Sequence, residues 1–177
     1  MTTETFEQML TGGHPNSLGR TLDVVDLILA DKTKLEALYQ CYFSEDEVVR
    51  LRTSNAFKRV AKEHLDWFIP YIDRFLGEIS QINQPSTQWT LATLCLWTQK
   101  EMSSEQLALA KDVLKSNLEN YTDWIVLNNT METLTIWATS DEALKLWLLP
   151  RLEELKKDGR KSVAKRANKF FDQLCKS

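Results

Sequence analysis

The sequence predicts an all-α protein assembled from consecutive helix pairs, and three observations carry that expectation. Turn formers are scarce, with five Gly and four Pro in 177 residues, too few for the many tight turns of a sandwich or barrel. Helix-start punctuation recurs along the chain. An apolar stripe returns at intervals of 37 to 40 residues, the interval expected of a two-helix repeat.

The punctuation comes first. Ser44-Glu45-Asp46-Glu47, Ser103 to Gln106 and Thr139 to Glu142 have the form of a capping box. In that motif a hydroxyl accepts from the third helical N–H while the acidic or amide side chain reaches back to the cap N–H. Asp66, Ser86 and Asp123 are candidate single caps, and Gly12, Gly13 and Gly159 candidate stops. These marks divide the chain into helices near 3–11, 17–30, 33–43, 45–63, 67–80, 86–100, 103–119, 123–138, 141–157 and 160–175. Pro70 falls early in its helix, where a missing N–H costs least; Pro150 falls later and is expected to kink or divide its helix.

The stripe begins with Val49, Thr53, Ala56, Phe57 and Val60, one face of a 3.6-residue period. Forty residues on stand Trp89, Thr93, Leu96, Trp97 and Lys100, the last a break; then come Val126, Thr130, Thr133, Leu134 and Trp137, and then Val163, Ala167, Phe170, Phe171 and Leu174. The intervening stretches are amphipathic too: Leu35, Leu38, Tyr39 and Tyr42; Ile72, Phe75, Leu76 and Ile79; Leu107, Ala110, Val113 and Leu114; Leu144, Leu148, Leu152 and Leu155. Two helices per repeat is the pattern of an α-solenoid.

Asp46-x-x-Val49-Arg50, followed by the small residues Thr53, Ser54 and Ala56, resembles the HEAT motif. In that family the Asp and Arg knit neighbouring repeats together. The motif is complete once: Thr90, Leu127 and Ala164 stand where Arg50 would recur. A helix with Arg20, a Val-Arg-rich second helix and then Trp67-Phe68-Ile69-Pro70 is similar to small bacterial HEAT-repeat proteins over about residues 17–175. The resemblance implies a right-handed α-α superhelix of about four to five helix pairs. It would form one domain over 1–177, with repeats near 17–63, 67–100, 103–138 and 141–175.

Composition narrows the function classes. Apolar residues are 43% and charged residues 27% of the chain, near the globular average, and no run of about 18 apolar residues occurs. Met1 to Leu10 carries Glu4 and Glu7 instead of a basic leader. Cys41, Cys95 and Cys175 form neither a CxxC pair nor a disulfide framework, so reduced thiols in a cytoplasmic protein without membrane association are expected. The net charge of -3 hides an asymmetry. Residues 1–47 hold nine carboxylates against Arg20, Lys32 and Lys34, whereas Lys156, Lys157, Arg160, Lys161, Lys165, Arg166, Lys169 and Lys176 face only Asp158 and Asp172. Such polarity suits solvated helix faces, head-to-tail self-association or an acidic partner.

Catalytic chemistry finds little support. His14 lies in a Gly-Gly-His-Pro loop and His64 at a helix end, neither with metal-ligand spacing to a partner. No GxGxxG, Walker A, GxSxG or HExxH sequence is present, and no cofactor, metal or catalytic residue is assigned. Asp123-Trp124-Ile125-Val126-Leu127-Asn128 is similar to the Trp-Asp-x-Val-Asp stretch of the HEAT-like DNA alkylation repair glycosylases, with Trp and Asp reversed and Asn128 in place of the second carboxylate. Six tryptophans are explained mainly as packing, with base stacking open only to exposed ones.

In a solenoid the second helix of each pair lines the concave side. Its free face here would present Leu51, Asn55, Lys58 and Lys62; Leu91, Cys95 and Thr98; Asn128, Glu132 and Thr135; and Lys165, Lys169 and Asp172. A partly apolar floor with lysines at its ends suits a protein or peptide with acidic flanks. A nucleic acid, which would want a continuous basic stripe, fits less well. The leading expectation is a non-enzymatic binding scaffold with Leu51 and Leu91 exposed. A nucleic-acid binder related to the repair glycosylases instead requires Arg50, Arg52, Lys58, Arg59, Lys62 and the C-terminal cluster on one face. A bilin lyase or chaperone of HEAT type requires an aromatic pocket near Cys95 or a charged partner site.

Overall fold

The computed structural model describes residues 3–177, and every regular element among them is helical. Its contacts gather into two compact units, one up to Thr90 and one from Leu91 onward, divided inside a single helix. The first unit holds α1 (Phe6–Leu10), α2 (Thr21–Ala30), α3 (Leu35–Gln40), α4 (Glu47–Glu63), α5 (Leu65–Phe68), α6 (Ile72–Leu76) and the start of α7 (Pro85–Trp97). Short 3₁₀ turns at Lys32–Lys34, Cys41–Phe43, Ile69–Tyr71 and Ile79–Gln81 link several of these.

At the centre of this unit lies α4, packed against α1, α2, α3 and α5. Its stripe of Val49, Thr53, Ala56, Phe57 and Val60 is buried throughout, as the spacing predicts. Phe57 sits among aromatic rings: Tyr42 stacks at 5.8 Å, and Phe75 and Tyr71 meet it edge-on at 5.2 and 5.8 Å. Outside this cluster Arg74 grips Glu36 with two 2.8 Å hydrogen bonds, binding α6 to α3. Its guanidinium lies 3.7 Å from the Tyr39 ring, and the Tyr39 hydroxyl donates to Glu78. Arg74 and its hydrogen bonds hold the Glu36 carboxyl down at about 2.

Arg52 has the least expected position. It is 1% exposed, and it forms no ion pair with a carboxylate among the described residues. Instead its guanidinium donates to four backbone carbonyls: Leu10 at 2.8 Å, Gly12 at 2.6 Å, His14 at 3.2 Å and Ser17 at 3.2 Å. These dipoles replace the water a buried cation would otherwise lose. The segment from the end of α1 to Gly19 is thereby wrapped around one side chain. Gly19 has φ +52°, and a Cβ there would lie 2.9 Å from the Arg52 Cζ. Both the left-handed backbone and the close approach demand glycine.

Asp46 and Arg50 take different roles. Asp46 caps α4, accepting from the Val48 N–H at 2.8 Å. Arg50 donates to the Ser44 carbonyl at 2.6 Å and to Gln84 Oε1 at 2.7 Å, while Gln84 Nε2 donates to the Glu47 carbonyl at 2.9 Å. The start of α4 is thus tied to the turn before α7 by an Arg-Gln pair in which Asp46 takes no part.

The second unit contains the rest of α7, α8 (Ser104–Asn120), α9 (Trp124–Ala138), α10 (Glu142–Leu155) and α11 (Lys161–Lys176). Here α9 packs against α8, α10 and α11, and it is buried nearly all round, from Val126 and Leu127 to Trp137 and Ala138. Lys111 pairs with Asp141 at 2.8 Å and Arg151 with Glu119 at 2.7 Å; Arg160 donates to the Thr122 carbonyl at 2.6 Å.

Several sequence expectations need correction. The boxes proposed at Ser44 and Thr139 give way to Asp46 and Asp141, because an Asp immediately before the helix reaches the second or third N–H directly. Thr139 instead ends α9. Asp66 lies inside α5, whose cap position is His64. Pro150 does not divide α10: the carbonyl it frees, that of Leu146, belongs to a residue 63% exposed, on the water side of the helix. In α7 the proposed stripe of Trp89, Thr93, Leu96 and Trp97 is only half-buried and Lys100 is exposed, whereas Leu91, Ala92, Leu94, Cys95 and Thr98 are buried. With apolar residues on every side of α7, spacing alone does not select its inner face.

Three measurements check this packing. Phe57→Ala is expected to cost about 3–5 kcal/mol in urea unfolding, the usual loss for a buried ring. Arg52→Leu is expected to cost about 2–4 kcal/mol through lost charge-assisted hydrogen bonds, and to open residues 11–20 to limited proteolysis while α8 to α11 stay resistant. For Glu36, whose pKa falls from 4.5 to about 2 on folding, the ion pair's stabilisation is complete above pH 4.5 and lost as pH falls through about 2. Glu36→Gln should remove that acid-side slope from the stability curve, an effect of about 1 kcal/mol or less because both partners are partly solvated.

Candidate binding cleft

A recess in the second unit lies between α9 and α11. It is a cleft of about 730 Å³ lined by Glu132 from α9 and by Ser162, Lys165, Arg166, Asn168, Lys169 and Phe170 from α11. Helix spacing explains why these residues converge. Val163, Ala167, Phe170 and Leu174, three or four apart, turn inward and are buried. The same winding turns Lys165 and Lys169 outward with Ser162 and Arg166 beside them. Phe170, 8% exposed, forms an apolar floor beneath the charged rim.

The charges on this helix lack internal compensation. Lys156 pairs with Glu153, Lys157 with Glu154 and Arg160 with Asp158. Lys161, Lys165, Arg166, Lys169 and Lys176 form no ion pair among the described residues. Lys161, Lys165 and Lys169 succeed one another at i,i+4, a like-charge spacing that costs a helix a few tenths of a kcal/mol per pair, about 0.2–0.5. Bringing an anion to this face would relieve that repulsion and gain new pairs.

The other residues expected on a binding face divide by burial. Lys62, Glu132, Lys165, Lys169 and Asp172 are exposed. Leu51, Asn55 and Lys58 are half-buried. Leu51 and Asn55 border a shallow recess of about 250 Å³ together with the Pro15–Leu18 loop. Asn55 accepts from Arg59 at 2.7 Å. Leu91, Cys95, Thr98, Asn128 and Thr135 are 0–3% exposed, so the expectation that they line an open face is corrected. The Asn128 amide has neither donor nor acceptor partner among the described residues. The small and apolar residues that made a groove floor plausible are the kind that cores also accept.

Of the residues invoked for nucleic acid, Arg50 and Arg52 are spent on Gln84 and on backbone carbonyls. Asp123 accepts from the Ile125 and Val126 N–H groups at 2.9 and 3.1 Å as the cap of α9, while Trp124 is 49% exposed beside it. Burial pushes the Cys95 thiol up to about 12, which keeps it protonated. No group of three or more His, Cys, Asp or Glu side chains gathers in a metal-binding arrangement, and no helix is long and apolar enough to cross a membrane, among the described residues.

Sequence reasoning chose Lys165 and Lys169 but passed over Ser162, Arg166, Asn168 and the Phe170 floor. The signal was available in part: Ser162, Arg166 and Lys169 follow one another at four and three residues, so any face holding Lys169 holds them as well. Compared with protein-family models, with curated proteins and with solved structures, the chain matches none of them.

Proposed function

We propose that this protein is a non-enzymatic, HEAT-like helical scaffold and that its α9/α11 cleft binds an acidic segment of a protein. One observation carries the reading: the cleft is rimmed by Lys165, Arg166 and Lys169, exposed cations that the described residues leave without ion pairs. Uncompensated charge concentrated in a recess steers an oppositely charged partner and sets its register. The Phe170 floor adds an apolar contact for a side chain flanked by carboxylates.

A protein segment is favoured over a nucleic acid because most of the first-unit cations invoked for a phosphate backbone are already engaged. In the first unit Arg50 and Arg52 are engaged internally and Arg59 with Asn55, which leaves Lys58 and Lys62. A phosphate backbone gains affinity from several successive cations, whereas a short acidic peptide needs only the cluster on α11.

Fluorescence anisotropy with a short Glu/Asp-rich peptide tests the reading. Binding is expected to weaken about tenfold in Lys165→Gln/Lys169→Gln, the loss of two surface pairs worth about 0.5–1 kcal/mol each. It should weaken further as salt rises. Unchanged peptide affinity in that variant, or displacement of the peptide by a single-stranded oligonucleotide at lower concentration than by unlabelled peptide, would overturn it.

A further inference from the structure

The first unit carries a feature that complements the cleft. From the last residue of the 3₁₀ turn Cys41–Phe43 to the first of α4 runs Phe43-Ser44-Glu45-Asp46-Glu47. Phe43 is 49% exposed, a large apolar ring at the surface, and Glu45, Asp46 and Glu47 beside it are exposed. With Glu7 and Gln40, the Phe43–Asp46 stretch borders a recess of about 420 Å³. Glu7, Glu45 and Glu47 form no ion pair among the described residues.

Local hydrogen bonds hold this segment in shape. The Asp46 N–H donates to Ser44 Oγ at 3.1 Å, the Val48 N–H donates to the Asp46 carboxylate at 2.8 Å, and Arg50 donates to the Ser44 carbonyl at 2.6 Å. The Phe43 ring stands edge-on to Tyr39 at 5.7 Å. The segment is therefore an ordered knob, an aromatic ring followed by carboxylates, and a surface ordered beforehand loses less entropy on docking. The cleft presents the converse arrangement, Lys165, Arg166 and Lys169 around the Phe170 floor, with Glu132 of α9 facing them.

We infer that the acidic segment received by the α9/α11 cleft is the Phe43–Glu47 knob of a second copy of this chain, so that copies join head to tail. The inference rests on the proposed function of the cleft and names its occupant. Charge complementarity carries it: Glu45 and Glu47 on the knob answer Lys165, Arg166 and Lys169 on the cleft, and Phe43 answers Phe170. A net charge of only -3 leaves little bulk repulsion between copies. Because the two surfaces differ, the contact is heterologous, and an open assembly of any length keeps one knob and one cleft free at its ends until a ring closes.

Sedimentation velocity of the full chain over a concentration series tests this at about 0.01 M and about 1 M salt, where screening lengths are about 30 and 3 Å. The average mass should rise with concentration at low salt and return to the monomer at high salt. Lys165→Gln/Lys169→Gln and Glu45→Gln/Glu47→Gln should each reduce association at least about tenfold, with thermal melts confirming that both remain folded. Mixed one to one, the two variants should form a dimer and nothing larger, since only one intact knob and one intact cleft remain per pair. A wild-type chain that stays monomeric at low salt overturns the inference. So does self-association that survives either double substitution, or a mixture that grows beyond the dimer. The acidic-peptide measurement separates the two proposals: a monomeric wild type that binds peptide refutes self-docking alone, and one that binds neither refutes both.

Discussion

The buried guanidinium of Arg52 is the constraint around which the first unit is organised. A cation removed from water needs compensation, and here four carbonyls from Leu10, Gly12, His14 and Ser17 supply it, with no ion pair to a carboxylate among the described residues. The arrangement works in both directions. The loop between α1 and α2 gains a set of donors that its irregular backbone could not provide for itself, and α4 gains a fixed neighbour on the flank away from the Phe57 cluster. A neutral side chain of the same length would leave carbonyls and loop to be ordered by other means.

Internal use of arginines also shapes the surface. Arg50, Arg52 and Arg74 are turned to Gln84, to backbone carbonyls and to Glu36, so the first unit keeps most of its carboxylates facing water with few cations among them. In the second unit Arg151 of α10 pairs with Glu119, and Lys156, Lys157 and Arg160 of the turn before α11 pair with carboxylates close by in sequence, whereas Lys161, Lys165, Arg166, Lys169 and Lys176 of α11 form no ion pair among the described residues. The charge asymmetry of the sequence therefore survives folding as two surfaces of opposite sign, each carrying a partly exposed aromatic ring or an apolar floor. Both proposals made for this protein draw on that survival.

Much of the fold was legible because many helices have one apolar face. On α4 and α11 the spaced residues Val49, Phe57, Val163 and Leu174 are buried where the period places them. On α7 and α9 spacing does not single out an inner face, since both helices are apolar or small on most sides; Leu91, Leu94 and Asn128 are buried alike. The pattern at Asp46 and Arg50 located a helix start, and Arg50 reaches out of its own segment to Gln84, 34 residues on, whereas Asp46 only caps α4; nothing in the spacing names Gln84 as that partner. Lys165 and Lys169 were legible as exposed, because Val163, Ala167, Phe170 and Leu174 give α11 a single apolar face and leave the lysines off it. That Arg52 would be buried was not legible, since arginine surrounded only by carbonyls has no signature in sequence spacing.

The contact between Gly19 and Arg52 reaches beyond stability. A side chain at position 19 would place its Cβ 2.9 Å from a guanidinium that four hydrogen bonds prevent from moving aside. The two positions are thus coupled in descent: as long as position 52 remains arginine, position 19 has a vocabulary of one letter, and the first step away must come at 52. At Gly12, where a Cβ would meet no neighbour, the left-handed backbone alone favours glycine, so divergent copies of this gene are expected to change there before they alter either half of the Gly19–Arg52 pair.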